Sequence, residues 1–309
     1  MSERGGQGAS GARPLAVSAR TIIEGSFDAA GHAPLDTVYD VGLALDVPEQ
    51  TIRLALRRMQ AAGELVQVGR GRAGRIERSP DALRRTKHEA AMLDFAFAQD
   101  AGSHPWDGLW HLYAFSVPER ARADRDALRS ALLALGTAAV APGMYVSPHD
   151  VGDDLATALP AGEAARWLVR ATTHDLALPD CSSPADIAER LWPSGPTIAA
   201  YEPLEQLLAE GPDGAGRAAR ADRLDAAYRP DNADRPDSTD RPDPTASDEV
   251  AVTARALRLS EGLERGLAAD PLLPNELRTS PWAPQRIRAA FLREWLELER
   301  LHPGLPVFA

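Results

Sequence analysis

Residues 48–78 of the chain read PEQTIRLALRRMQAAGELVQVGRGRAGRIER, and this stretch decides the fold of the N-terminal part. Apolar side chains recur at helical spacing in its first half, at Ile52, Ala55, Leu56 and Met59. This spacing predicts a helix over 48–62 with one buried face. Residues 64–68 and 76–78 favour two short strands joined by a glycine-rich tip. A helix followed by such a hairpin is the pattern of a recognition helix and its wing, so we predict a winged helix-turn-helix.

The opposite face of the predicted helix and the hairpin tip are rich in cationic and amide side chains. We predict DNA contacts from Gln50, Thr51, Arg53, Arg57, Arg58, Arg70, Arg72 and Arg75. Arginine can bind guanine O6 and N7, and glutamine can bind adenine N6 and N7. Arginines in a hairpin tip suit backbone phosphates or an adjacent minor groove. Many solvated helices share this pattern, and the alternative is that Arg53 only pairs with Glu49.

The distribution of charge favours focused contact with a polyanion. The 309 residues carry 45 acids against 34 Lys plus Arg, and the net charge of −11 argues against overall attraction to nucleic acid or an anionic membrane. Residues 48–78 nevertheless hold seven arginines and three acids, so this stretch carries +4 and the remainder −15. One short basic stretch in an acidic protein indicates a local DNA-binding surface.

The sequence contains no local motif for catalysis or metal binding. The single cysteine, Cys181, excludes an internal disulfide and a thiolate zinc cluster. There is no H-E-x-x-H, no G-x-S-x-G and no G-x-x-x-x-G-K-[ST] pattern. A G-x-G-x-x-G match at Gly69, Gly71 and Gly74 opens no helix, so it predicts no dinucleotide site. We therefore expect no enzyme activity, no cofactor and no metal.

The rest of the chain divides into a tail, two further domains and a linker. We expect 1–17 to be a disordered tail without a secretory signal, in a cytoplasmic protein. The winged domain is predicted over 18–90, a middle domain over 104–192 and a helical C-terminal domain over 193–309. Within the last of these, 211–248 lacks apolar periodicity and repeats Arg-Pro-Asp three times, so we predict a disordered linker there.

The middle domain has the pattern of a small α/β fold. Strands are predicted at 109–117 and 165–172, a turn and a strand within 138–146, and helices at 119–135, 150–158 and 184–191. This β-α-β-α-β-α order is compatible with a ferredoxin-like sandwich. Further helices are predicted at 18–29, 34–45, 196–210, 248–267 and 284–301. The predicted fold class is therefore α+β.

Three groups of residues occur in an order that matches a known family. The first is Ser18-Ala19-Arg20 with Thr51, Arg53, Ala55-Leu56 and Arg58-Met59. The second runs Trp106-Asp107-Gly108, Trp110-His111-Leu112, Phe115-Ser116 and Pro118-Glu119, and ends in Ala141-Pro142-Gly143-Met144-Tyr145-Val146-Ser147-Pro148. The third is Asp270-Pro271-Leu272-Leu273-Pro274-Asn275-Glu276-Leu277, followed by Trp282. On these motifs the chain resembles the PaaX family, named for the repressor of phenylacetate degradation.

The resemblance implies a dimeric transcriptional regulator with a winged N-terminal domain, a ferredoxin-like middle domain and a helical C-terminal domain. It also implies repression that is relieved by an aryl- or acyl-CoA ligand such as phenylacetyl-CoA. The expected partners are then an operator in double-stranded DNA, a second copy of the chain and the acyl-CoA effector, with no membrane partner.

A candidate effector site lies on the first predicted helix of the middle domain. Arg122, Arg125 and Arg129 share one face of that helix, and guanidinium groups match phosphate geometry. An apolar crevice bounded by Trp110 or Tyr145 would hold the acyl group. The alternative is a solvated helix of mixed charge, because acids lie next to these arginines.

Two other classes of protein stay open at this stage. One is a nucleic-acid-processing enzyme, because Cas2-like ferredoxin domains occur in CRISPR-associated nucleases. Such a nuclease needs a carboxylate at the end of its first strand, where this chain has Ser116-Val117-Pro118. The other class is a non-catalytic interaction protein.

Overall fold

The computed structural model describes residues 15–80, 92–159, 164–211 and 244–308. These residues belong to two compact units. Unit 1 contains 15–80, 201–211, 244–264 and 289–308, and unit 2 contains 92–159, 164–200 and 265–288. Our expectations for the tail before residue 15 and for the linker over 212–243 lie outside the described residues.

The helices and strands are named in chain order. The helices are α1 (Ala19–Glu24), α2 (Leu35–Ala44), α3 (Glu49–Ala61), α4 (92–100), α5 (Arg122–Ala134), α6 (Gly152–Ala158), α7 (Pro184–Leu191), α8 (Ser194–Glu210), α9 (Pro244–Ala268) and α10 (Ala283–Leu301). The strands are β1 (His32–Pro34), β2 (Leu65–Val68), β3 (Arg75–Arg78), β4 (Trp110–Phe115), β5 (Ala138–Ala141), β6 (Met144–Ser147) and β7 (Leu168–Thr173).

Unit 1 begins with three helices and a three-stranded antiparallel sheet in the order β1-β3-β2. The element order α1-β1-α2-α3-β2-β3 has the helices and the hairpin that we predicted for a winged helix-turn-helix. The observed α3 begins and ends within one residue of the range predicted from its apolar spacing. The hairpin of β2 and β3 follows it directly, so α3 and this wing are neighbours in the fold.

The first helix is shorter than the sequence predicted, and an unpredicted strand follows it. We expected a helix over 18–29, but α1 ends at Glu24. The Asp28 carboxylate accepts the backbone N–H groups of Ala30 and His32, at 3.0 and 2.8 Å. Such side-chain bonds to nearby backbone stabilise a turn in place of a helix. The turn leads the chain into β1, which pairs with β3.

The helices α2 and α3 approach each other at a glycine. A Cβ atom on Gly42 would lie 2.2 Å from Ile52 Cδ1, so the approach requires a residue without a side chain. Ile52 itself is fully buried. Asp46, with φ at 57°, turns the chain between the two helices. Gly42 therefore sets how closely α3 packs on α2, and with it the direction of the outward face of α3.

Gly42→Ala should destabilise unit 1 by about 1–3 kcal/mol, because overpacking forces the buried Ile52 side chain or the helices to shift. Urea unfolding followed by circular dichroism measures this change in the free energy of unfolding. Gly195→Ala is the control, since nothing lies within 4 Å of the Cβ position there. Adding Ile52→Val, which removes the clashing methyl group, should recover part of the loss. Equal effects of Gly42→Ala and Gly195→Ala would contradict this packing.

Helices from the second half of the chain complete the core of unit 1. Leu257 of α9 is buried in the same apolar cluster as the residues of α1, α2 and α3. The Glu261 carboxylate of α9 accepts the Ser18 backbone N–H at 3.1 Å and the Thr21 hydroxyl at 2.6 Å, where α1 begins. The sequence predicted a separate C-terminal domain over 193–309, but the described residues of that range divide between the two units.

The helix α9 begins inside the range predicted as linker. It starts at Pro244, whereas the linker was predicted over 211–248. Proline is well suited to the first turn of a helix, because the N–H that it lacks has no helical partner there. The prolines of the Arg-Pro-Asp repeat therefore do not exclude a helix that starts at Pro244, directly after the last repeat.

Unit 2 is built around a four-stranded antiparallel sheet in the order β5-β6-β4-β7. Its chain order is β-α-β-β-α-β through α5 and α6, which is ferredoxin-like. The predicted α+β class with a ferredoxin-like middle domain is confirmed. Within 138–146 the sequence predicted a turn and one strand, whereas the structure has two strands, β5 and β6, which form a hairpin. The turn contains Gly143, with φ at 72°, where a Cβ atom would lie 2.6 Å from the Phe115 carbonyl oxygen.

Both faces of this sheet are covered. Tyr145 packs with Leu128 of α5 on one face. The neighbouring residue Val146 points to the other face, where it packs with Trp110 and with Ile187 of α7. The sheet is therefore the middle layer of unit 2.

Unit 2 also contains a buried cluster of opposite charges. Arg288 is fully buried and donates to Asp270 Oδ2 at 2.6 Å and to the two oxygens of Asp100 at 2.6 and 2.8 Å. Arg278 donates to Asp100 Oδ1 at 2.9 Å. Asp270 also accepts the Leu272 N–H at 2.9 Å. These contacts give the Asp-Pro-Leu-Leu-Pro motif a structural role, because its first residue anchors α10.

The buried imidazole of His149 should make the stability of unit 2 depend on pH. Burial lowers the pKa of His149 below its usual 6.5, and the charges of His111 and Arg278 act in the same direction, although its hydrogen bond with Leu272 O at 2.9 Å opposes them. The unfolded chain then binds a proton more readily, so stability is complete above about pH 6.5 and falls as the pH drops through the folded pKa. His149→Gln should flatten this loss in urea unfolding between about pH 7.5 and 5. An unchanged pH profile in that variant would contradict the assignment.

Candidate nucleic-acid interface

The helix α3 has one buried face and one exposed face. Ile52, Leu56 and Met59 are buried in the core of unit 1. The side chains of this helix that we predicted to contact DNA are all exposed, and they are Gln50, Thr51, Arg53, Arg57 and Arg58. The helical period separates the two sets, so burying the apolar stripe turns the polar one outward.

The wing carries its arginines on and beside a glycine-rich tip. The arginines predicted to contact DNA from this hairpin are all exposed, and they are Arg70, Arg72 and Arg75. Gly69 and Gly71 have φ at 85° and 64°, a region that favours glycine. The Leu35 N–H donates to Gly74 O at 2.9 Å and ties the tip to the first residue of α2. The tip is thus held beside the helix-turn-helix.

A cleft of about 190 Å³ lies between α3 and the wing. It is lined by Tyr39, Arg53, Leu56, Arg57, Gln60, Gln67 and Gly71. Gln60 Nε2 donates to Gln67 Oε1 at 3.4 Å and so links α3 to β2. Guanidinium and amide groups of α3 that can bind base edges therefore lie next to the hairpin, on one part of the surface.

Two of the predicted arginines have partners that come from α2 and from the start of α3. Arg53 Nη2 lies 2.5 Å from Glu49 Oε1, which is the pairing that the sequence left open. Arg72 pairs with Asp40, and its Nη1 lies 4.0 Å from Glu49 Oε2. The Cζ atoms of Arg53 and Arg72 lie 6.0 and 5.5 Å from the centre of the Tyr39 ring. We call Tyr39, Asp40 and Glu49 the arginine brace.

The remaining arginines of this surface differ in their partners. Arg75 Nη2 lies 2.8 Å from Glu77 Oε1 on the same strand. Arg57, Arg58 and Arg70 form no ion pair within the part of the chain that the structure describes. No carboxylate of the described residues therefore competes with DNA for these three side chains through an ion pair.

Sequence reasoning missed two members of the brace. Tyr39 and Asp40 lie on α2, and Asp40 is 32 positions away from Arg72. No local spacing connects them, because the wing returns to α2 only in the folded structure. The one available signal was that Asp40 falls on the polar side of α2, since Val38 and Val41 are buried.

The three arginines predicted to bind an effector lie along α5. Arg122 Nε lies 3.6 Å from Asp126 Oδ2, and Arg125 Nη1 lies 3.0 Å from Glu119 Oε2. Arg129 is exposed. The pairs lie on the protein surface, as in the solvated helix of mixed charge that the sequence left as the alternative.

The aromatic residues predicted to bound an apolar crevice are both buried. Trp110 and Tyr145 are 1% and 5% exposed. They pack into different apolar clusters on opposite faces of the sheet, so they do not line a common crevice.

The described ranges contain neither a metal-binding cluster nor a membrane-spanning helix. There, no group of three or more His, Cys, Asp or Glu side chains is placed to hold a metal ion. None of the helices in those ranges is long and apolar enough to cross a membrane.

The fold and the candidate interface define a class of protein. It combines a helix-and-wing unit, which presents a basic cleft, with a ferredoxin-like sheet. Residues 103–178 match the family model described as the PaaX protein central Cas2-like domain. This range contains the strands β4 to β7. The resemblance to the PaaX family is thereby confirmed in the middle domain.

The chain is also similar to solved structures. The chain is similar to the solved structure of the uncharacterized protein Rv0674 from Mycobacterium tuberculosis, with 22% sequence identity and a TM-score of 0.49. The similarity covers 92% of this chain and 96% of that chain. No curated protein matches the chain.

Proposed function

We propose that the chain is a sequence-specific DNA-binding transcriptional regulator, and that it acts as a repressor. The observation that carries the proposal is the shared exposure of the polar face of α3 and the wing arginines around one cleft. The PaaX match in the middle domain supports the same class, because that family is regulatory.

The dimensions of α3 suit a major groove. Its 13 residues extend about 20 Å, and a groove about 12 Å wide admits an α-helix. In this arrangement Arg53 and Arg57 face base edges, while Arg70 in the wing binds phosphate. Phosphate contacts fix the position of the protein on the duplex, and base contacts supply the sequence preference.

Selection from a random duplex library tests the proposal directly. The full-length protein should enrich one sequence, and a duplex with that sequence should be retarded in a gel without being cleaved. The region upstream of its own gene is the natural first fragment for the same assay. Enrichment of no sequence would remove the proposal, and cleavage would favour a nuclease.

The enzyme alternative has little support at the ferredoxin-like sheet. The strand β4 ends at Phe115 and is followed by Ser116-Val117-Pro118, which supply no carboxylate. Asp150 is nearby in unit 2, but it accepts hydrogen bonds from Tyr113 at 2.9 Å and from Arg170 at 2.8 Å. Its geometry is that of a structural contact, so we keep the regulator as the conclusion.

Arg70→Ala should weaken binding to all duplexes alike and lower the salt slope of binding by about one, because Arg70 would bind phosphate without reading bases. Fluorescence anisotropy over a salt series, with the selected operator and a scrambled duplex, measures both effects. Arg300→Ala provides a control with the same change of charge at an exposed site on α10. A loss confined to the operator would show that Arg70 reads sequence instead.

A homodimer belongs to the proposal, because a lone winged unit covers one half-site. Two copies would bind half-sites about 34 Å apart on a two-fold operator. Sedimentation equilibrium at micromolar concentration should give twice the 33.1 kDa of one chain. If the protein is a monomer at that concentration and the selected site has no two-fold repeat, the homodimer is excluded and the regulator binds single half-sites.

An acyl-CoA effector completes the proposed mechanism of repression. A ligand releases DNA only if it favours the conformation that binds DNA poorly, so the two affinities must be reciprocally linked. Calorimetry with a panel of acyl-CoAs, with and without operator, tests this. Equal affinity in both conditions would exclude the ligand, and normal binding to an Arg122/Arg125/Arg129 triple alanine variant would exclude α5 as its site.

A further inference from the structure

The arginine brace holds two cations of the DNA-binding face before any DNA is present. Glu49 lies 2.5 Å from Arg53, and Asp40 pairs with Arg72. The side chains of these pairs are about half exposed, with values from 40% to 53%. Exposed ion pairs are weak, and breaking one changes an equilibrium by about fivefold or less. A phosphate can therefore compete with either carboxylate for its arginine, but it does so at a cost.

Tyr39 is the buried residue of the arginine brace. Its ring is 8% exposed and belongs to the core of unit 1, so it moves little. Both guanidinium groups lie within 6.0 Å of the ring centre, a distance at which a cation is attracted to an aromatic face. One buried ring thereby contacts an arginine of α3 and an arginine of the wing, and Glu49 lies within 4.0 Å of both arginines.

We propose that Asp40 and Glu49 are specificity-determining residues of the DNA interface; this inference rests on the proposed function. Each carboxylate affects binding to random-sequence DNA and binding to the operator differently. It repels the phosphates that provide non-specific binding. It also holds a guanidinium in one orientation, and arginine has five donors, so an arginine bound to one carboxylate keeps donors for guanine O6 and N7.

The consequence is a difference between the affinity for the operator and the affinity for random-sequence DNA. On random sequence the arginines can gain only phosphate contacts, and the neighbouring carboxylates weaken those contacts. On the operator Arg53, which Glu49 orients, meets its base, and little side-chain freedom remains to be lost. The acids therefore lower affinity for random sequence more than affinity for the operator.

The test compares Asp40→Asn, Glu49→Gln and the double variant with the wild-type protein. The probes are the operator selected by the wild type and a scrambled duplex of equal length, with affinities from anisotropy at several salt concentrations. Each substitution should tighten binding to the scrambled duplex by up to about fivefold, the equivalent of one exposed ion pair. Operator affinity should stay level or fall, so the ratio of the two affinities decreases.

Two controls separate this role from a general change of charge. Asp36→Asn removes the same charge from α2, and Asp36 forms no ion pair among the described residues. It should shift both affinities equally and leave their ratio unchanged. Asp40→Glu keeps the charge beside Arg72 and should restore much of the ratio.

The outcomes for the inference and for the proposed function are distinct. If the wild type enriches no sequence, the proposed function fails, and the inference fails with it. If the wild type enriches an operator and the ratio is unchanged in Asp40→Asn and Glu49→Gln, the inference alone is overturned. A decrease in the ratio that Asp36→Asn does not show would establish it.

Discussion

Replacing Arg53 and Arg57 together by alanine should weaken binding to the selected operator by roughly a hundredfold or more, because a base-reading arginine contributes about 1–3 kcal/mol. Both side chains line the cleft between α3 and the wing, and both are exposed. Arg53 is oriented by Glu49, whereas Arg57 has no ion pair among the described residues. Anisotropy with the selected operator measures the loss.

The control for this double variant is a double substitution at Arg293 and Arg300. Both are exposed arginines of α10 that do not line the cleft, so the same charge is removed from unit 1 outside the candidate interface. That control should retain operator binding to within a few fold. Circular dichroism of both proteins should show an unchanged fold, since none of the four side chains is buried. Unchanged operator affinity in the Arg53/Arg57 variant would show that α3 is not the reading helix.

Asp100→Ala should destabilise unit 2 by about 3–5 kcal/mol, because removing one partner leaves an uncompensated buried charge. Asp100 accepts two hydrogen bonds from Arg288, at 2.6 and 2.8 Å, and one from Arg278 at 2.9 Å. The Arg288 side chain is 0% exposed and the Arg278 side chain 2%, so water cannot replace the lost carboxylate. Urea unfolding reports the change in the free energy of unfolding.

Asp94→Ala is the matched control for that prediction. Asp94 lies on the same helix, α4, and is exposed. The change there should be within about 0.5 kcal/mol. If Asp100→Ala fails to give folded protein, Asp100→Asn retains the shape and should still be measurable. A loss below about 1 kcal/mol for Asp100→Ala would contradict a structural role for the cluster.

The sequence predicted those elements whose signal is local. The apolar spacing from Ile52 to Met59 predicted α3 nearly to the residue, and the glycines after β2 predicted the wing tip. Within 138–146 the sequence predicted a turn and only one of the two strands, because β5 is a four-residue Ala-Ala-Val-Ala segment and alanine is depleted in strands. The three-residue β1 has too few residues to show an alternating pattern.

Long-range contacts were beyond what the sequence could indicate. Glu261 accepts a hydrogen bond from Ser18 at the start of α1, although the two residues are 243 positions apart. No local pattern in either segment predicts this contact. The division of the C-terminal helices between two units follows from such contacts. The buried cluster is similar, because Asp100 and Arg288 are 188 positions apart.

The cations of the candidate interface were predictable from the sequence, but only some of their partners were. The helical period assigned Arg53 and Arg57 to one face, and the structure places both at the cleft. The pair of Arg75 and Glu77 was also predictable, since residues two apart on a strand share a face. Asp40 and Tyr39 could not be found in this way, because only the folded wing brings Arg72 to α2.

The central claim is that α3 and the wing together bind one DNA sequence in preference to others. The most direct measurement is the affinity of the full-length protein for the selected operator against a scrambled duplex of equal length, at one fixed salt concentration near physiological. The proposed function predicts that the operator binds at least about a thousandfold more tightly. Equal affinity for the two duplexes would contradict it.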